Sequence, residues 1–290
     1  MLDTPLIFVS GKGGTGKSAV TAAIGLARAR AGERVLCIDM GGTLGLGSHL
    51  RRTELAYAPK EVRPGLFAIQ IDRARALDEY LKLQLHVPQG SPTRQLARAL
   101  NVLVETAPGV REIISIGKPI YESWTDTWDA VVVDAPSLGQ FQSYLHGPGT
   151  IADLAPAGTV RRQASRLVET LTDPEACSVV IVTTPSELAM TETREALDTI
   201  AAEGLSARPT VVANRVVPHA GFASTDIEAL PDGSLREAAV LQLSIETDQE
   251  HWLTAVPVDH SLPFLRGIHT PGEVATRLAD ELGSGTETQE

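Results

Sequence analysis

Short runs of apolar, mostly β-branched residues alternate along the chain with longer stretches in which apolar positions recur every three or four residues. The first pattern suits strands and the second amphipathic helices, and their alternation is the signature of parallel βαβ units. Strands are predicted at Leu6–Ser10, Arg34–Asp39, Leu66–Gln70, Ala130–Asp134, Ser178–Thr183, Thr210–Asn214 and Leu253–Pro257. Several are apolar at nearly every position, as central strands covered on both faces require. Helices are predicted at Ser18–Arg30, Ala74–His86, Arg94–Thr106, Val160–Thr172, Thr191–Glu203, Leu235–Thr247 and Pro271–Leu282. The expected fold class is α/β, with a doubly wound, mostly parallel sheet.

The stretch from Gly41 to Tyr121 departs from simple alternation. It holds one short strand and helical segments interrupted by Pro88, Pro92 and Pro108. Leu77, Leu81 and Leu85 fall at i, i+4 and i+8, as do Leu96, Leu100 and Val104, and such stripes normally face a core. A small helical insertion over about 72–121 is therefore expected beside the sheet, within a single domain spanning 1–282. The polar segment 283–290 reads as a disordered tail.

Composition narrows the function without naming it. The 290 residues are 43% hydrophobic and 21% charged, enough to build a sizeable core. No apolar run reaches the roughly 18 residues that span a bilayer. The opening Met1-Leu2-Asp3-Thr4-Pro5 lacks the regions of a signal peptide, so a cytoplasmic location with no integral membrane segment is expected. Net charge is −11 and the basic residues form no long patch, which disfavours nucleic acid as a partner. The two cysteines, Cys37 and Cys177, sit in apolar strand-like runs without neighbours at zinc-ligand spacing, and read as buried reduced thiols.

The segment that carries chemistry is Ser10-Gly11-Lys12-Gly13-Gly14-Thr15-Gly16-Lys17-Ser18. It satisfies G-x-x-x-x-G-K-[ST], between a predicted strand and an alanine-rich helix. Glycines at these positions let successive N–H groups turn around phosphate oxygens, and the helix that follows aims its positive end at the anion. Lys17 would reach the outer phosphates and the Ser18 hydroxyl would bind Mg²⁺. A phosphate loop of this kind predicts ATP as ligand and a P-loop NTPase fold. Asp39 ends the second predicted strand, where an acid can support the Mg²⁺ shell.

The additional Lys12 resembles the deviant Walker A loop shared by the MinD, ParA, nitrogenase iron-protein and ArsA ATPases. The resemblance implies that Lys12 crosses a dimer interface to the partner's nucleotide, making Lys12 and Lys17 the candidate catalytic residues. Val131-Val132-Val133-Asp134-Ala135-Pro136-Ser137-Leu138-Gly139-Gln140 is similar to switch II of the ArsA family, the arsenite-pump and tail-anchored-protein-targeting ATPases. That likeness implies a Mg²⁺-linked Asp134 and a Gly139 N–H near the γ-phosphate. Thr183-Thr184-Pro185-Ser186-Glu187 and Val212-Ala213-Asn214-Arg215 resemble later motifs, which imply Asn214 at the adenine. Val256-Pro257 and Pro263-Phe264-Leu265-Arg266-Gly267 resemble the last strand and loop, implying Pro257 beside the base. Pro108-Gly109-Val110-Arg111-Glu112 is similar to a motif between the switches.

Three departures bear on function. ArsA-family members carry a switch I aspartate just beyond the Asp39 position. Here Met40-Gly41-Gly42-Thr43-Leu44-Gly45-Leu46-Gly47-Ser48-His49 holds no carboxylate, so hydrolysis by the isolated chain is expected to be slow or absent. His49 could stand in, although a lone polar residue in a glycine-rich loop is expected to be solvated. Metalloid sensing needs clustered cysteines, and tail-anchor delivery a C-x-x-C and a methionine-rich groove; this chain has two cysteines and three methionines in all. The expected function is a dimeric ATP switch acting on a protein client, as a homodimer or as a heterodimer with a paralogous ATPase. Alternatives are a catalytically weak regulatory subunit of an active paralogue, and a MinD- or ParA-type positioning ATPase. The acidic, polar tail does not resemble the basic membrane helix of MinD relatives.

Overall fold

A computed structural model describes residues 2–41, 45–52, 54–84, 110–206 and 209–284. Its strands are β1 (Leu6–Gly11), β2 (Val35–Asp39), β3 (Lys60–Arg63), β4 (Leu66–Gln70), β5 (Ala130–Ser137), β6 (Cys177–Thr183), β7 (Thr210–Val216) and β8 (His260–Pro263). They form one sheet in the order β3-β4-β2-β5-β1-β6-β7-β8, parallel throughout except where β3 meets β4. The described helices are α1 (Lys17–Arg30), α2 (Gly45–His49), α3 (Arg73–Gln84), α4 (Val110–Ser123), α5 (Leu138–Leu154), α6 (Thr159–Thr172), α7 (Glu187–Glu203), α8 (Ser224–Glu228), α9 (Ser234–Leu253) and α10 (Pro271–Ser284). This is the doubly wound α/β architecture of P-loop NTPases.

The period-2 geometry of β1 divides the core. Ile7 and Val9 point to one face, where Ala19, Ala22 and Ala23 of α1 and Ala275 and Leu278 of α10 cover them. Leu6 and Phe8 point to the other, under Ile116 and Ile120 of α4, Phe141 of α5 and Leu167 of α6. Phe8 and Phe141 meet as tilted rings 5.5 Å apart. Each large side chain buried in this way contributes about 1.5–3 kcal/mol relative to exposure. The alanines of α1 let that helix lie close on the sheet. Gly25 takes this to its limit, since a Cβ there would stand 2.4 Å from Cys37 Sγ on β2.

Several elements differ from the sequence expectation. Leu253 belongs to the last turn of α9, and no strand covers Leu253–Pro257; the sheet is completed instead by His260–Pro263. Val256 lay in the predicted strand because that run is apolar, but it packs with Met190, Val211 and Trp252 in a satellite cluster. β3 forms an unexpected antiparallel edge, joined to β4 through Gly65 at φ 74°. α5 was hidden in the sequence by Gly139, Gly147, Pro148 and Gly149. Gly45–His49, expected to be loop, closes a short helix with Leu46 and Leu50 buried.

Within the stretch expected as a helical insertion, Ala76 and Leu77 of α3 pack on Ile114 of α4, while Ile116 and Ile120 enter the main core. The helix expected at Arg94–Thr106, its stripe of Leu96, Leu100 and Val104, and the tail beyond Ser284 lie outside the described residues. Among the described residues no helix is long and apolar enough to cross a membrane.

Candidate nucleotide site

β1 lies between β5 and β6 while its following helix leads to β2 beyond β5, so connections diverge at the carboxyl end of β1. Ligands of doubly wound sheets bind at such switch points. The glycine-rich segment falls in this place. β1 delivers Gly11, and α1 starts at Lys17 with Gly16 as its cap in the left-handed region, φ 97°. The first turn of α1 carries no acid, which leaves its positive end open to an anion.

The loop is held from inside by its own chain. Thr15 Oγ1 donates to the Lys12 carbonyl at 2.9 Å, and Lys17 Nζ donates to the same oxygen at 3.2 Å. Ser10 Oγ fixes the base of the loop to the Pro136 carbonyl at 2.7 Å. From β7, Asn214 Nδ2 donates to the Thr15 carbonyl at 2.8 Å. A Cβ on Gly16 would stand 2.3 Å from that Nδ2, so glycine is required both by φ and by the approach of Asn214.

The acids converge as strand register dictates. Asp39 and Asp134 are paired residues on β2 and β5. Both are buried, and Ser18 Oγ donates to Asp134 Oδ2 at 2.6 Å. Burial pushes the Asp134 carboxyl up to about 7, against the hydroxyl of Ser18; the charge of Asp39 adds to the rise and that of Lys17 opposes it. Burial also pulls the Lys17 ammonium below its ordinary value, while Asp134 resists. Asp39 Oδ1 accepts from the Gly41 N–H at 2.8 Å and so caps the following turn as well. Two buried carboxylates beside a serine hydroxyl form an oxygen donor set with an excess of negative charge, the chemistry a hard divalent cation satisfies. Ser18, Asp39 and Asp134 therefore fit Mg²⁺.

A cavity of about 450 Å³ opens beside the loop. Gly14, Gly16, Lys17, Ser18 and Asn214 contribute to its wall, together with Arg215, Phe264 and His49, which sequence reasoning had not assigned to the site. Arg215 adopts φ 60°, a conformation that costs a non-glycine residue of order 1 kcal/mol or more. The β7–β8 pairing is irregular between Ala213 and Val216, and the Arg215 N–H donates to Asn214 Oδ1 at 2.9 Å. This irregularity aims Asn214 at the loop. Phe264 lies in the Pro263–Gly267 segment that the motif comparison had singled out. Pro257 is not brought to the cavity: two residues on, Asp259 bonds to Val211 near the start of β7, the end away from Asn214. Gly139 is exposed in the first turn of α5.

Lys12 does not point into the cavity. Its Nζ forms a salt bridge with Glu192 Oε1 of α7, both side chains partly exposed. No sequence signal marked Glu192, because the contact joins residues 180 positions apart.

The sequence profile of the anion-transporting ATPases matches residues 4–154, just over half the chain and including the loop, both acids and α5. The chain belongs to this family. ATPase BagA of Mycobacterium tuberculosis is 30% identical over 224 residues, covering 73% of this chain and 65% of that protein. An arsenical pump-driving ATPase of Acidiphilium multivorum is 25% identical over 242 residues, 74% of this chain and 40% of that one. One of Escherichia coli is 24% identical over 235 residues, with 73% and 39% covered. The chain thus spans about two fifths of the arsenical pump-driving ATPases it matches and 65% of the mycobacterial relative. The two cysteines of this chain are both fully buried, Cys37 on β2 and Cys177 on β6, with thiols that burial pushes up to about 12.

Proposed function

We propose that the chain binds ATP with Mg²⁺ and works as a dimeric nucleotide switch on a protein client or partner complex. The observation that carries this is the phosphate loop itself, set at the sheet's switch point with Lys17 and Ser18 on the edge of a cavity and two buried acids behind them. In this reading the N–H groups of the loop and of the first turn of α1 bind the phosphates, and Lys17 neutralises their outer charge. Ser18, Asp134 and Asp39 hold Mg²⁺, which when bound withdraws charge from the β- and γ-phosphate oxygens. Arg215 and Phe264 enclose the nucleoside.

Lys12 serves the second subunit. Its bond to Glu192 is a partly exposed ion pair, worth no more than about 1 kcal/mol, so exchanging it for a phosphate across an interface costs little. The buried, separated thiols of Cys37 and Cys177 offer no thiolate cluster for a metalloid, which favours a protein client over an arsenical one.

A second reading is a regulatory subunit that binds ATP and depends on an active paralogue. It is favoured by the run Met40–His49, which has no carboxylate to orient a water. ATP turnover by the purified chain in Mg²⁺, with Lys17→Ala as the blank, separates them. The switch reading expects slow turnover above the blank and ATP-dependent dimers. Binding without any turnover, restored by adding a paralogous ATPase, would favour the regulatory subunit, and absence of ATP binding would overturn both.

A further inference from the structure

His49 is a polar side chain of the cavity wall that the phosphate chemistry leaves unused. α2 carries it, and Leu46 and Leu50 anchor that helix in the apolar cluster shared by α1 and α10. His49 Nδ1 lies 2.8 Å from the Gly45 carbonyl oxygen. A carbonyl can only accept, so Nδ1 carries the hydrogen and, in the neutral ring, Nε2 is left with a lone pair. Burial pulls the ring below the ordinary histidine value, only partly offset by the Gly45 bond, and so favours its neutral form.

An acceptor in this position is informative. It repels phosphate oxygens, which are themselves acceptors, and calls for a ligand group with a hydrogen to give. The cavity that His49 lines is also walled by Lys17, Ser18 and Ala19 of α1 and by the apolar Phe264, Val274 and Leu278. Lys12, Asp39 and Asp134, which mark the γ-phosphate and metal end, are not among the described residues lining this cavity. His49 thus shares the cavity with residues of the first turn of α1 and with apolar residues of the Pro263–Gly267 segment and α10. The group of a nucleotide that lies between its phosphates and its base, and that donates hydrogen bonds, is the ribose with its two hydroxyls.

We propose that His49 Nε2 accepts a hydrogen bond from a ribose hydroxyl of the bound nucleotide and makes the site selective for ribonucleotides. This rests on the nucleotide reading of the same cavity and adds to it a specificity residue borne by the segment that lacks the family's aspartate. It differs from the expectation that His49 is solvated, since the residue is partly buried in the cavity wall.

The test is calorimetric titration of the full chain with ATP, 2′-deoxy-ATP and 3′-deoxy-ATP in Mg²⁺. One neutral hydrogen bond predicts that one deoxy analogue binds about 5- to 10-fold more weakly than ATP to the native chain. His49→Ala brings that ratio to about 1. His49→Gln, whose amide oxygen can replace Nε2, restores part of it, and His269→Ala, which alters another ring of the wall, leaves it unchanged. Equal affinity of the native chain for all three nucleotides would overturn the assignment. So would a deoxy penalty that survives in His49→Ala, or a His49→Ala variant that keeps the penalty and loses only turnover. If the native chain binds no nucleotide, the reading of the cavity itself fails, an outcome distinguished from the others by the silent ATP titration.

Discussion

Asn214 shows how one amide can hold a site together. Its Nδ2 donates to the Thr15 carbonyl and its Oδ1 accepts from the Arg215 N–H, so one side chain ties the end of β7 to the glycine-rich loop. Asn214→Ala leaves a buried carbonyl without its donor and is expected to destabilise the chain by about 1–3 kcal/mol in urea unfolding, with ATP affinity falling in parallel. A variant of native stability would contradict that role. Lys12 and Glu192 make a second residue-scale prediction. Glu192→Gln removes the competing carboxylate and should tighten ATP-dependent dimerisation up to about five-fold in sedimentation experiments, the equivalent of about 1 kcal/mol. Weaker dimers would mean that Glu192 itself supports the interface. The residues of the glycine-rich loop were legible in the sequence because their spacing follows local geometry, with glycine at positive φ at Gly14 and Gly16 and a helix that starts at Lys17. Glu192, His49 and Arg215 were not, since their positions arise from how α7, α2 and β7 pack.

At the scale of elements, the seat of α1 on β2 depends on a missing side chain. Gly25→Ala would place a methyl carbon against Cys37 Sγ and is expected to cost about 1–3 kcal/mol despite the better helix propensity of alanine. Combining it with Cys37→Ala should recover part of the loss, and a purely additive double variant would contradict the contact. Another joint ties α3 to α4: Lys118 Nζ reaches Glu79 at 2.8 Å and Glu122 at 2.6 Å, and Glu79 also accepts from the Tyr57 hydroxyl. Burial alone would lower Lys118, but bonds to Glu122 and Glu79 outweigh it and raise the ammonium above its ordinary value of 10.5. The stability this contributes is full below 10.5 and is lost as pH rises through the raised value. Lys118→Met leaves two half-buried acids facing each other and should cost about 3 kcal/mol at pH 7, with the difference from the native chain shrinking above pH 10.5. A difference constant with pH would contradict the charge-based account. The strands of the sheet interior were readable because burial on both faces makes them continuously apolar. β8 was misplaced because it is a short edge strand with only Leu262 buried, while the more apolar Leu253–Val258 serves a helix end and a satellite cluster.

For the whole molecule, fold and family follow from the order of strands and the position of one loop, while the work the molecule performs follows from what that loop binds. The alternation of strand and helix announced the doubly wound sheet, and the loop motif announced its switch point. The edges of the cavity, contributed by α2, the β7 bulge and the Pro263–Gly267 segment, depend on contacts between distant parts of the chain. The account stands on the claim that Mg²⁺ and ATP occupy the phosphate loop through Lys17. Titration calorimetry of the native chain and of Lys17→Ala with ATP and Mg²⁺ tests it most directly. The account predicts one ATP per native chain and at least a 100-fold loss of affinity in the variant, equivalent to about 2.7 kcal/mol. Failure of the native chain to bind, or equal binding by Lys17→Ala, would contradict it.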